Sequence, residues 1–144
     1  MSPSNTEKID GISVVQIKSH IRHLARHTFV QKTKLEEVID HPDGKLESIA
    51  PMTFDGCSNL RKVHLQSSPL VKSIPHGTFK NCSRLVDVRL SPNVLRLEGS
   101  CFAYCLSLKH IQIPPKTVQI QEQAFRDCKR LETIGWSDML FEIC

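Results

Sequence analysis

The stretch GTFKNCSRL, residues 77–85, sets Cys82 three residues after Phe79 and three before Leu85. Four roles are open to a thiol so placed: metal ligand, redox centre, half of a disulfide, or core filling. Spacing decides between them, because the stretch recurs as HTFVQKTKL at 27–35, MTFDGCSNL at 52–60, SCFAYCLSL at 100–108 and QAFRDCKRL at 123–131. The five phenylalanines, Phe29, Phe54, Phe79, Phe102 and Phe125, are separated by 25, 25, 23 and 23 residues. A period of that length marks stacked units, none of which can bury its apolar face alone.

The agreement extends beyond the phenylalanines. Five residues before each stands Leu24, Ile49, Ile74, Leu97 or Ile120; six after, Leu35, Leu60, Leu85, Leu108 or Leu131; nine after, Val38, Val63, Val88, Ile111 or Ile134. The slot three after holds Cys57, Cys82, Cys105 and Cys128, with Lys32 breaking it in the first copy. Thus 24 of 25 framework positions are apolar or cysteine in a chain that is 40% hydrophobic, which excludes chance. LRKVHL at 60–65 alternates as a short half-buried strand does, and Pro69, Pro92, Pro114 and Pro115 stand where such strands end. A second apolar pair follows, Val71 with Ile74, Val94 with Leu97, and Val118 with Ile120, leading into a short helical turn around Phe and Cys. Counting back 23 residues from Phe29 lands the same slots on Ile9, Ile12, Val15 and Ile17, and the forward count ends on Leu140 and Ile143.

The segment LKHIQIPPKTVQIQEQAFRDCKRLETI, 108–134, resembles the BspA-type leucine-rich repeats, whose pattern runs Leu-x-x-Ile-x-Ile-Pro, then Val-x-x-Ile, then Ala-Phe-x-x-Cys. The departures are Lys32, Cys101 in a slot otherwise held by Thr or Ala, and Asp40 where the last apolar strand residue is expected. Periodicity and resemblance together predict an α/β repeat solenoid: a leucine-rich-repeat-like right-handed coil with a parallel strand ladder and short helical turns. Residues 1–8 are read as a lead-in, and 9–144 as one domain of five Phe-centred coils with a half-coil at each end. What the resemblance implies for function is an interaction surface, with some family members at cell surfaces.

At constant repeat phase Cys82 reads as core filling, since free cysteine behaves as a small buried hydrophobe. Cys101 reads as a small-residue substitution. Zinc would need four converging ligands, and Cys101 and Cys105 have no matching second pair. No metal and no cofactor is expected. His23 and His27 in HIRHLARH, 20–27, have the i, i+4 spacing of a helical metal pair, and Lys18, Arg22 and Arg26 suggest a basic amphipathic helix. Repeat phase opposes both, because Ile21 and Leu24 lie where Val71 and Ile74 lie before Phe79. Asn81-Cys82-Ser83 is a formal glycosylation sequon whose use requires export. The acidic and basic residues Glu7, Lys8 and Asp10 interrupt the start of the chain where a secretory signal needs an apolar run, so a cytoplasmic, reducing location is expected. No apolar run approaches the ~18 residues of a membrane span. A net charge of +4 is too mild to indicate nucleic acid. No catalytic signature or phosphate-binding glycine loop is present, so the chain is expected not to be an enzyme. A thiol- or metal-dependent enzyme is the weakest of the readings kept.

The strand face remains. Positions seven, eight and ten after each Phe should point outward: Glu36, Glu37 and Ile39; Arg61, Lys62 and His64; Val86, Asp87 and Arg89; Lys109, His110 and Gln112; Glu132, Thr133 and Gly135. The middle coils then carry a basic patch between acidic ends. Arg61, Lys62, His64, Asp87, Arg89, Lys109, His110 and Gln112 are the candidate contacts for a protein partner, the alternative being a cell-surface adhesin or receptor-like fragment. The closing GWSDMLFEIC, 135–144, is too apolar to cap a solenoid, which suggests a continuation of the chain, or a partner or second copy docked at that end.

Overall fold

The computed structural model describes residues 13–136. Expectations that fall on the lead-in at 1–8, on Ile9 and Ile12, and on Met139, Leu140, Phe141 and Ile143 lie outside the described residues. Among the described residues, eleven short strands alternate between two sides of a coil. On the first side stand β1 (Val14–Gln16), β3 (Glu37–Ile39), β5 (Lys62–His64), β7 (Asp87–Arg89), β9 (His110–Gln112) and β11 (Thr133–Gly135). The second side carries β2 (His23–Leu24), β4 (Ser48–Ile49), β6 (Ser73–Ile74), β8 (Arg96–Leu97) and β10 (Gln119–Ile120). All pairing is parallel, and the register follows the repeat: Val15 pairs with Val38, Val38 with Val63, and Val63 with Val88. Parallel strands bring the same slot of every coil into line, which makes the apolar framework one continuous core.

The phenylalanines form that core's spine. Successive rings from Phe29 to Phe125 lie 5.1, 5.4, 5.3 and 5.6 Å apart and are stacked, at the separations aromatic pairs favour. Cys57, Cys82 and Cys105 are fully buried beside them. Each ladder thiol donates to the Phe carbonyl of the preceding coil: Cys57 to Phe29 at 2.9 Å, Cys82 to Phe54 at 3.3 Å, Cys105 to Phe79 at 3.3 Å and Cys128 to Phe102 at 3.0 Å. The question posed by Cys82 thus resolves as core filling with a weak hydrogen bond added. The described cysteines are free thiols, and Cys101 is buried as a small residue.

The expected short helical turns are absent: the described residues contain no helix, so the fold is a parallel β-solenoid and not α/β. The cause is local. The residues two before and two after each Phe have positive φ, as Met52 (59°) and Gly56 (77°) do around Phe54, and Ser100 (58°) and Tyr104 (60°) do around Phe102. Only three residues stand between, fewer than one α-helical turn of about 3.6. The amides freed by this geometry bond across coils, Phe54 N–H to Thr78 O at 3.0 Å and Gly56 N–H to Lys80 O at 2.9 Å.

Three further findings concern particular slots. Val118 does not join the second apolar pair; it is 76% exposed, and Thr117 takes the buried slot, donating its hydroxyl to Val94 O at 2.8 Å. Asp40, in the slot of Leu65 and Leu90, is buried, with its carboxylate accepting from Ser67 N–H at 2.7 Å and Ser68 O–H at 2.8 Å. It ties the turn of the next coil in place of an apolar contact. HIRHLARH contributes strand β2 rather than a helix, with Leu24 buried and Ile21 against the core.

Candidate protein-binding face

The centre residue of each first-side strand points inward, and its neighbours flank it outward. Val38 and Val63 are fully buried, while Arg61, Arg89, Lys109, His110 and Gln112 are exposed. Stacking sets the outward residues in three rows along the solenoid axis. One row runs Glu36, Arg61, Val86, Lys109, Glu132; the next Glu37, Lys62, Asp87, His110, Thr133; the third Ile39, His64, Arg89, Gln112, Gly135. Neighbours within a row are about 4.8 Å apart where the ladder is paired.

Much of the charge on this face is already paired between or within coils. Lys62 Nζ lies 3.5 Å from Glu37 Oε1. His64 Nε2 meets Asp87 Oδ2 at 2.8 Å, and Arg89 Nε lies 3.5 Å from Asp87 Oδ1, so one carboxylate engages both side chains. His110 Nδ1 bonds the Thr133 hydroxyl. The carboxamide of Gln112 lies over Gly135, where a Cβ would have no room. Among the described residues Arg61 and Lys109 make no ion pair, and they flank the 52% exposed Val86 in the first row. The expected basic patch therefore reduces to two unneutralised cations around an apolar centre, beside a fixed His64–Asp87–Arg89 group.

The first-side ladder is interrupted within this patch. Strands β1, β3, β5 and β7 form one sheet and β9 and β11 another, with no pairing between β7 and β9. A groove of about 400 Å³ runs from this junction across to β11, lined by Val86, Asp87, Arg89, His110, Gln112 and Thr133 among others. Sequence reasoning did not find the groove; its one signal is the change of repeat spacing from 25 to 23 at Phe79. The second side is interrupted once as well, between β4 and β6. There Pro75 stands where Ala50, Glu98 and Gln121 each donate an N–H to the preceding coil, and a proline has none to give.

The thiols vary along the ladder. Burial pushes Cys57 up to about 12 and raises Cys82 and Cys105 as well. Cys128, half-buried in the last described coil, is lowered from the ordinary thiol value by its interaction with the neighbouring Cys105 thiol. No group of three or more His, Cys, Asp or Glu among the described residues is placed to hold a metal ion.

The family description "BspA type Leucine rich repeat region" matches residues 6–140 in six copies. The chain belongs to the BspA-type leucine-rich repeat family. Solved structures of bacterial leucine-rich repeat proteins superpose on it. A leucine rich cell surface protein from Faecalibacterium prausnitzii A2-165 has a TM-score of 0.82 at 23% identity, covering 89% of this chain and 33% of its own. A leucine-rich repeat protein from Bacteroides ovatus ATCC 8483 gives 0.76 at 24%, covering 85% and 33%. The T. pallidum Leucine Rich Repeat protein gives 0.79 at 25%, covering 87% and 58%. The BspA-type chain thus spans about a third of the first two. No curated protein sequence matches it.

Proposed function

We propose that this BspA-type chain is a non-enzymatic protein-interaction module, with the first-side strand face as its contact surface. The observation that carries the reading is the arrangement on that face: Arg61 and Lys109 unpaired around exposed Val86, beside Asp87 held by His64 and Arg89. Fixed pairs are ordered before a partner arrives, so binding costs less side-chain entropy, and the two unpaired cations supply attraction and register. Lys62, Arg89, His110 and Gln112 complete the surface. No cofactor enters this reading.

The experiment is capture with the wild-type chain against one in which Lys62, His64 and Arg89 are replaced together by uncharged residues. Loss of specific partners in the triple variant, with the fold intact by circular dichroism, supports the face. An unchanged set of partners removes it. The free thiols suit a reducing, cytoplasmic location. No helix among the described residues is long and apolar enough to cross a membrane. A cell-surface role is the second reading, favoured by the description of the F. prausnitzii neighbour. Protease accessibility of the protein on intact cells separates the two.

A further inference from the structure

The interruption between β7 and β9 leaves a specific set of donors unused. At the other first-side junctions, two consecutive amides converge on one carbonyl of the preceding coil. Arg61 and Lys62 N–H reach Glu36 O at 2.8 and 3.2 Å, and Val86 and Asp87 N–H reach Arg61 O at 3.1 and 3.0 Å. Glu36 and Glu37 do the same to Ser13 O, and Glu132 and Thr133 to Lys109 O. The equivalent amides of Lys109 and His110 have no backbone partner among the described residues, and neither does the Leu90 amide, whose counterpart Leu65 bonds Arg89 O at 2.7 Å. Paired N–H groups that converge on a single oxygen elsewhere in the fold are here left without one, and His110 is among the residues that line a groove of about 400 Å³.

The charges around the groove select what that oxygen belongs to. Arg61 and Lys109 are the face's unneutralised cations, one on each side of the unpaired junction. The one acid lining the groove, Asp87, is tied to His64 and Arg89. Exposed Val86 gives the groove an apolar lip. The β4–β6 interruption has no such setting: Pro75 accounts for it, and the group left without a hydrogen-bond partner nearby is the buried hydroxyl of Ser73.

We propose that the groove between β7 and β9 is a carboxylate subsite, which takes an aspartate or glutamate side chain of an acidic, extended partner segment. The Lys109 and His110 amides bind one carboxylate oxygen, Arg61 and Lys109 supply the attracting field, and the segment's neighbouring apolar residue rests on Val86. This deepens the reading of the strand face as a binding surface and rests on it.

The test is a titration of the isotope-labelled full chain, followed by amide NMR, with an acetylated and amidated octapeptide of alternating glutamate and serine. Its glutamine–serine counterpart serves as control. The expected result is a saturable downfield shift of the Lys109 and His110 amide protons with the glutamate peptide only, reduced at least several-fold in affinity in R61Q/K109Q. Those amides should also exchange with solvent far faster than those of Arg61 and Lys62 before peptide is added. Unmoved Lys109 and His110 amides, equal shifts from the glutamine peptide, or protection equal to that of Arg61 and Lys62 would each overturn the subsite. A capture experiment that still depends on Lys62, His64 and Arg89 would then leave the broader face standing, which separates the two failures.

Discussion

Replacing Phe79 with alanine tests the solenoid at its centre. The ring is fully buried and stacked on both sides, 5.4 Å from Phe54 and 5.3 Å from Phe102. Truncating a buried Phe to Ala costs about 3–5 kcal/mol. Each aromatic pair is worth ~0.5–1.5 kcal/mol beyond its buried area, so two lost stacks place Phe79→Ala at the upper end, near 5 kcal/mol. Domains of this size are stable by only about 5–15 kcal/mol. At roughly 2–4 °C per kcal/mol, the thermal midpoint should fall by about 10–20 °C. Phe125 is half-buried and stacks on Phe102 alone, at 5.6 Å, so Phe125→Ala should cost about half as much. Urea titration followed by circular dichroism gives both numbers. An unmoved midpoint for Phe79→Ala, or an equal cost for Phe125→Ala, would refute the stacked-spine argument.

Other perturbations read different parts of the coil. Burial raises Asp40 above the ordinary 3.8. A raised carboxylate contributes stability that is complete below the unfolded value and lost as pH rises through the folded one. Asp40→Asn keeps acceptors for Ser67 and Ser68, so it should be the more stable protein at pH 7, with the difference closing as pH falls below about 4; a constant difference would exclude the titration. With a disulfide reagent at neutral pH, Cys128 should react first of the described thiols, while Cys57, Cys82, Cys101 and Cys105 wait for unfolding; mass spectrometry of partly labelled protein gives the order. Gly77 has φ +63° whereas Gly99 does not occupy that region, so Gly77→Ala should destabilise by about 1 kcal/mol and Gly99→Ala by less than ~0.5.

The framework was legible because a repeat states each slot five times. One polar intruder such as Lys32 cannot hide a column of four cysteines, and the phase correctly put Ile21 and Leu24 of HIRHLARH into the core. Leaving the phase misplaces Val118: the slot eight before each Phe, held by Ile21, Val71 and Val94, falls on Thr117 in the last coil. Val118 drew the apolar assignment because it stands beside Thr117, whose methyl and hydroxyl fit the buried slot once Val94 O is there to accept. The turns were misread as helical for another reason. Their positive-φ positions hold His27, Met52, Gly77, Ser100 and Gln123 on one side of Phe, and Gln31, Gly56, Asn81, Tyr104 and Asp127 on the other. Glycine marks only two of these ten, because hydrogen bonds between coils hold the rest in a conformation their side chains disfavour.

Repeat phase also made the outward residues legible, but not their pairing, which depends on which side chain of the next coil comes within reach. Asp87 looked like an isolated acid in a basic patch and is instead bound by His64 below it and Arg89 within its own strand. The groove follows from an uneven repeat. Leu65 to Val71 spans six residues, but Leu90 to Val94 spans four, so the third coil is shorter than the second by the two residues of this turn. On the second side β6, β8 and β10 remain paired through the step, and the Phe spacing stays at 5.3 Å. With the spine and the second sheet held, the mismatch falls on the first side, and it is there that β7 and β9 lose their pairing. Restoring two residues after Ser91 should therefore close the groove and protect the Lys109 and His110 amides, leaving the Phe spine as it is. Amide exchange on that insertion variant tests the link, and Lys109 and His110 amides that stay unprotected would show that coil length is not what opens the ladder.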